Sequence, residues 1–556
     1  MNKNFFKETA VKKICAVLCA LAVALPLVSC GDDKPQGDGS GMMYNVSLPY
    51  NPKSLDPQFA DDEASNTVIA NLYSGLMQFD IDGDVICCNA ESYSVSDDGL
   101  TYTFNLRDDN YWFFDTSDDD IIDEDEYFPV TADDYVFALQ RILTPEMHSP
   151  YSAEFSCIKG GKAALAGSAS PEAIGVSAPD ESTLVVALEY PSADFISLMA
   201  TNAAVPCNEE FFISTKGRYG LDDDSVMSNG AFFVRQWFFD PYGKNNILYM
   251  KKNFANSSDE NKVFPSFLSF TIEKSKADVR EMFKNEKIDC FTTLNKNSFE
   301  KNKYTITSQQ SITLGLVFNS QDEVCSNMNF RKALAYSLDR ASLQTELGND
   351  VTAAYGIIPP AVKLLGRSYR DLSADSVYDI FDSGKAAEFC SAAKAELNAE
   401  SFGTIRLLAA TDAVDSSDLH VVTRNWQDIL GFYVSVEEVT TDEFYERIES
   451  GDYQIALYPL QGKYNSGVSV LEQLAANTAA GLSGNAKASV SSLRMCANSS
   501  ELVGKFAAAE KVILDELSFI PIFYKNSYLI AEKGNQDIIL DSFSDSVNFR
   551  TAKHFD

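Results

Sequence analysis

Histidine, cysteine and clustered carboxylates are the residues through which this 556-residue chain could do chemistry. Three His occur, His148, His420 and His554. A nucleophile–base–acid triad needs one of them oriented by a third group, and no GxSxG, HExxH or GxxxxGK pattern accompanies them. Eight of the eleven Cys fall in the body: Cys87, Cys88, Cys157, Cys207, Cys290, Cys325, Cys390 and Cys496. None forms a CxxC pair, so zinc and thioredoxin-type chemistry have no support. Disulfides are open to an exported chain, but the sequence does not give their pairing, and the expectation is mostly unpaired, packed thiols. An acidic insert at 115–126 (DTSDDDIIDEDE) offers hard oxygen ligands for calcium. It lacks the Gly and the ligand spacing of an EF-hand, so it reads as a solvated loop. No metal, cofactor or catalytic residue is expected.

The start of the chain says where the protein works. Lys3, Lys7, Lys12 and Lys13 precede an apolar run at 14–27, which ends in Val28-Ser29-Cys30-Gly31. A basic start, a short apolar run and small residues at the cut read as an export signal. The run is shorter than the ~20 residues of a membrane span. Cys directly after the small residue resembles a bacterial lipobox, in which Cys30 is lipidated and becomes the first mature residue. Stable anchoring takes two or more acyl chains. Residues 32–41 (DDKPQGDGSG) are polar and Gly-rich, as a flexible tether would be. The body is strongly acidic, with 80 Asp and Glu against 45 Lys and Arg in the whole chain. That field repels nucleic acid and anionic headgroups.

The elements that would position a site follow from periodicity. Helical and alternating runs are interleaved, which predicts α/β architecture in two or three domains. Residues 46–48 begin a strand and 65–76 a helix. Residues 100–106 (LTYTFNL) alternate strictly, as a half-buried strand does. Thr131 caps a helix, with Asp134 completing a box-like start. Residues 183–188 form a strand, 330–347 one long helix, 502–513 another helix, and 519–524 a buried strand.

Separated segments then resemble one family in order and spacing. They are SLDPQ at 54–58, NLYSGL at 71–76, AESY at 90–93 and SDDGLTYTFNLR at 96–107. PVTADDYV at 129–136 follows, with Arg141, then Ser149-Pro150-Tyr151, Asn229-Gly230-Ala231-Phe232, NFRKAL at 329–334, Asp339-Arg340 and Ile358-Pro359-Pro360. Together they resemble the extracytoplasmic solute-binding proteins of oligopeptide and dipeptide ABC importers, family 5. The resemblance runs from about Ser54 to Tyr528. It implies a two-lobed periplasmic-binding-protein-like α/β fold (class II, cluster C) with an extra domain inserted in the first lobe. The implied organisation is a signal peptide at 1–29 and a tether at 30–43. Lobe I is then 44–73, 197–304 and 526–556, the insert 74–196, and lobe II 305–525. Ligand would sit in the cleft, with lobes closing by hinge motion.

The resemblance also implies site residues. Tyr151 matches a cleft tyrosine of the inserted domain, and Asp61 an acid lining the cleft. His420 matches a histidine that meets a ligand carboxylate, and Asn229 and Gly230 match a turn beside the ligand backbone. Peptide-binding members carry a Trp, an acid and a Pro where this chain has Leu460, Lys463 and Gly467 within YPLQGKYNSGVSVL, residues 458–471. The acid pairs with the peptide ammonium, so an inward Lys463 would repel it, leaving Glu63 or Asp61 as replacements. The implied function is a lipid-anchored, monomeric receptor on the outer face of the cell membrane. It would capture peptides for a permease and its ATPase without turnover. The alternatives are the same scaffold binding a non-peptide solute or signal peptide, and a surface hydrolase.

Overall fold

Two long antiparallel strands organise the chain, one of 15 residues and one of 13. The computed structural model describes residues 41–555 apart from 117–122, 124–125, 243–245, 258–261, 273–275, 297–298 and 374–377. The signal, Cys30 and most of the acidic insert therefore lie outside the described residues.

The main sheet has eleven strands. In chain order they are β1 (Met43–Leu48), β2 (Phe232–Phe238), β3 (Ile247–Lys252), β4 (Phe267–Ile272), β5 (Cys290–Thr293) and β6 (Tyr304–Phe318). Then come β7 (Val351–Ala353), β8 (Ile405–Ala410), β9 (Val434–Val439), β10 (Ile455–Leu460) and β11 (Ile520–Glu532). Their spatial order is β2-β3-β4-β1-β5-β11-β6-β10-β8-β9, with β7 paired to β11. Strands β6 and β11 pair along their length, from Tyr304↔Glu532 to Leu316↔Ile520, with a bulge between Gln309 and Ile312. One end of this ribbon pairs with β5 and the other with β10. The ribbon thus crosses from one half of the molecule to the other.

Each half has its own apolar core. The first gathers Tyr44, Leu72, Trp112, Phe155, Phe232 and Phe549; the second gathers Leu316, Phe330, Leu407, Trp426, Val470 and Phe519. Burying each such side chain contributes about 1.5–3 kcal/mol. A separate four-stranded sheet, formed by Ala90–Val95, Thr101–Leu106, Val176–Asp180 and Thr183–Ala187, packs into the first core. The two-lobed α/β class expected from the sequence is the observed one.

Local signals explain most elements. Tyr102, Phe104 and Leu106 point inward from the alternating strand. Thr131 N–H donates to Asp134 Oδ2 at 2.9 Å, closing the box that starts the helix Ala132–Ile142. Two expectations need correction. The helix expected at 65–76 is Glu63–Leu72, capped by Asp62 and ended by extended Tyr73. The single helix expected at 330–347 is two, Met328–Tyr336 and Arg340–Gln344. Asp339 caps the second by accepting from Ser342 N–H at 3.0 Å, and buried Arg340 donates to Ala354 O and Pro521 O at 2.7 and 2.9 Å. Those bonds fix a direction that a continuous helix would not give. All eight described cysteines are free thiols, and all but Cys87 are buried.

Candidate functional site: a cleft between two lobes

Strands β1 and β5 run parallel, as do β8 and β10. The residues at and beyond their carboxyl ends, Pro49 and Tyr50, Leu294 and Asn295, Thr411 and Asp412, and Gln461, all face one cavity of about 700 Å³. Space beyond strand carboxyl ends is the usual ligand position in α/β sheets, and this volume falls within the ~300–1,000 Å³ of small-molecule sites. Its floor is the crossing ribbon, through Ile312 of β6 and Lys525, Ser527 and Tyr528 of β11.

The walls carry charges of both signs. Glu63, Asp412, Asp415 and Asp545 are the acids, and Arg280 and Lys525 the cations. Arg280 donates through Nη2 to Thr293 Oγ1 at 3.0 Å and Asn295 O at 2.9 Å. Asn295 Nδ2 in turn donates to Asp415 Oδ1 at 3.0 Å, which joins the lobes across the cleft. Burial, with help from Asp62 and Glu63, pushes the Tyr50 hydroxyl up to about 12.

Of the residues singled out in the sequence, Glu63 lines this cavity. Two others, Tyr151 and Lys463, meet at a neighbouring seam. Tyr151 Oη donates to Ala60 O at 2.6 Å, and burial followed by the fields of Asp61 and Glu154 raises its pKa. Lys463 Nζ forms an ion pair with Glu154 Oε1 at 2.8 Å and donates to Pro150 O at 2.9 Å. Its charge is therefore met by a carboxylate of the short helix Ser152–Phe155, not turned unpaired toward ligand. Leu460 is 2% exposed in the second core. His420 is exposed on the helix Ser416–Leu430 and is not part of the cavity wall.

Asn229 and Gly230 do structural work. Asn229 Nδ2 donates to Ser74 O at 2.8 Å, and its Oδ1 accepts from Ser74 N–H at 3.1 Å. Gly230 has no positive φ; a Cβ there would lie 2.6 Å from the carbonyl carbon of Leu72. Close approach of two backbones, not a left-handed turn, requires the glycine. The SLDPQ motif is likewise a clamp. Asp56 pairs with Arg141, which also donates to Gln58 Oε1 at 2.6 Å and lies 4.1 Å from the Phe212 ring centroid.

A second seam joins the lobes. Tyr464 Oη and Ser466 Oγ donate to the two carboxylate oxygens of Asp194 at 2.6 and 2.5 Å. Burial raises the Asp194 pKa above its ordinary value, against the pull of both hydroxyls and of Arg494. Glu154, Asp194, Lys525 and Ser527 were missed by sequence reasoning. None carries a motif; each is a polar residue made notable by what surrounds it.

The profile of the bacterial extracellular solute-binding proteins, family 5, matches residues 87–481. The chain belongs to this family. It is 24% identical over 564 residues to the oligopeptide-binding protein OppA of Bacillus subtilis, covering 97% of this chain and 99% of that one. It is 23% identical over 524 residues to a probable deoxycholate-binding periplasmic protein, YgiS, of Escherichia coli, covering 91% and 92%. The solved structure of Listeria monocytogenes OppA bound to peptide superposes with a TM-score of 0.66 at 22% identity, covering 93% of this chain and 99% of that one. This chain and that structure thus share one fold.

Proposed function

We propose that this family member is the lipid-anchored, extracytoplasmic receptor of an ABC importer, capturing peptides in the interlobe cleft and handing them to a permease. The observation that carries the reading is the 700 Å³ cavity at the strand carboxyl ends, walled by both lobes and bridged by Asn295 and Asp415. A site built from two bodies can release its ligand when they part. Peptide is favoured as cargo by the likeness to the oligopeptide-binding protein OppA of B. subtilis and to L. monocytogenes OppA, whose structure is bound to peptide. The relative YgiS, named a probable deoxycholate-binding protein, supports a second reading, a non-peptide solute on the same scaffold. Anchoring rests on Cys30 after its apolar run.

The test is to purify the protein from its own membrane and identify any co-purified ligand by mass spectrometry. A peptide recovered near one per chain supports the reading. A non-peptide solute at that level moves the cargo to the second reading, and cleavage of added peptide in proportion to protein would overturn both. Cys30→Ala should move the protein out of the membrane fraction; normal membrane levels would refute the anchor.

A further inference from the structure

The floor of the cleft holds polar groups that the protein leaves without partners. Lys525 and Ser527 lie two apart on β11, so their side chains share a face. Both line the cavity, and they are only 2% and 7% exposed. Among the described residues Lys525 has no hydrogen-bond or ion-pair partner for its ammonium, taking 4.0 Å as the limit for a pair. Asp350, Asp415, Asp418 and Asp412 act on it from farther away, and burial outweighs them to lower its pKa. Ser527 Oγ is buried with no partner, as is Ser47 Oγ on another wall of the same cavity.

Such groups are costly to keep. A buried ammonium that no acceptor contacts loses hydration that carboxylates farther away offset only in part, and a buried hydroxyl without a partner carries its own desolvation penalty. The other cation of the wall, Arg280, already donates to Thr293 and Asn295 O. The remaining charges of the wall, Glu63, Asp412, Asp415 and Asp545, are acids. The cavity is therefore polarised, with an ammonium in its floor among acidic walls.

We propose that Lys525 and Ser527 form the subsite for a ligand carboxylate. One carboxylate oxygen accepts from Lys525 Nζ and the other from Ser527 Oγ, while a cationic end of the ligand faces the acids. The proposal rests on the peptide-binding reading and narrows it to ligands that bring a carboxylate to the floor. That group is either the carboxyl terminus or the side chain of Asp or Glu.

The experiment offers the full chain three probes: random tri- to hexapeptides with free carboxyl termini, the same pool amidated, and deoxycholate. Retained species are read by mass spectrometry and the best binder by calorimetry, for wild type, Lys525→Gln and Ser527→Ala. Removing a hydrogen bond to a charged group weakens binding by about 10- to 150-fold. Wild type should prefer free-acid peptides, and Lys525→Gln should lose that preference by such a factor. Ser527→Ala should lose less. If amidated peptides are retained only when they contain Asp or Glu, and Lys525→Gln abolishes this, the subsite stands with the side chain as its source. Equal binding of free and amidated uncharged peptides by wild type would overturn the subsite and leave the peptide reading intact. Retention of deoxycholate but no peptide, lost in Lys525→Gln, would remove the peptide reading and keep the subsite. Retention of none of the three would overturn both. The comparison of probes on wild type does not depend on any variant folding.

Discussion

Removing Asp194 should part the lobes. Its carboxylate is held between them, accepting from Tyr464 Oη at 2.6 Å and Ser466 Oγ at 2.5 Å. Hydrogen bonds to a charged group contribute about 1.5–3 kcal/mol each, and Asp194→Ala also strands two hydroxyls. Against this, joining the lobes desolvates the carboxylate, which is why its pKa is raised. The net loss is then about 2–4 kcal/mol, a shift on the order of 30- to 1,000-fold in the ratio of joined to parted lobes. The seam keeps other contacts, including Lys463 with Glu154 and Ala193 N–H donating to Cys496 O at 2.8 Å, so the fold itself should survive. Small-angle scattering should show a larger radius for Asp194→Ala than for wild type, with thermal unfolding little changed. If joined lobes are the binding-competent form, ligand affinity falls by the fraction still joined. An unchanged radius together with unchanged affinity would refute the role of this contact. The pH dependence has a fixed sign. Within the seam Asp194 holds its proton to higher pH than it would in water; burial also keeps the Tyr464 hydroxyl protonated, and Arg494 opposes the shift without reversing it. Joining the lobes therefore takes up a proton. It should weaken as pH rises through the window above 3.8, and Asp194→Asn should flatten that dependence in scattering measured across pH.

Other outcomes follow from buried contacts. Asp56→Ala strands the Arg141 guanidinium, which is nearly buried, and should lower stability in urea by about 3–5 kcal/mol; Asp56→Leu with Arg141→Met should recover most of it. Gly315 packs its Cα against the Phe519 ring where a Cβ would collide, so Gly315→Ala should cost about 1–3 kcal/mol in the same assay, and an unchanged midpoint would contradict the packing. Lys463→Met should loosen the seam at Glu154 and leave the cleft floor untouched, visible as a larger scattering radius with an unaltered preference between free-acid and amidated peptides.

What the sequence determined is local or serial. Alternation placed Tyr102, Phe104 and Leu106 on a buried face because side chains of a strand repeat every two residues. Thr131 and Asp134 marked a helix start because three residues bring a side chain back to the cap. The order of motifs from SLDPQ onward pointed to the family, although the structure shows that Asp56, Arg141, Asn229 and Gly230 serve as clamps and close contacts. The tertiary structure alone decided the charges. Lys463 looked like an unpaired cation until folding brought Glu154, more than 300 positions away, within 2.8 Å. Lys525 lay just past the strand expected at 519–524 and drew no notice, and even the full strand Ile520–Glu532 gives by its period of two only the face of a residue, not whether that face meets core or cavity. Whether a polar side chain finds a partner depends on groups distant in sequence, and only the packed chain shows which of them it left without one.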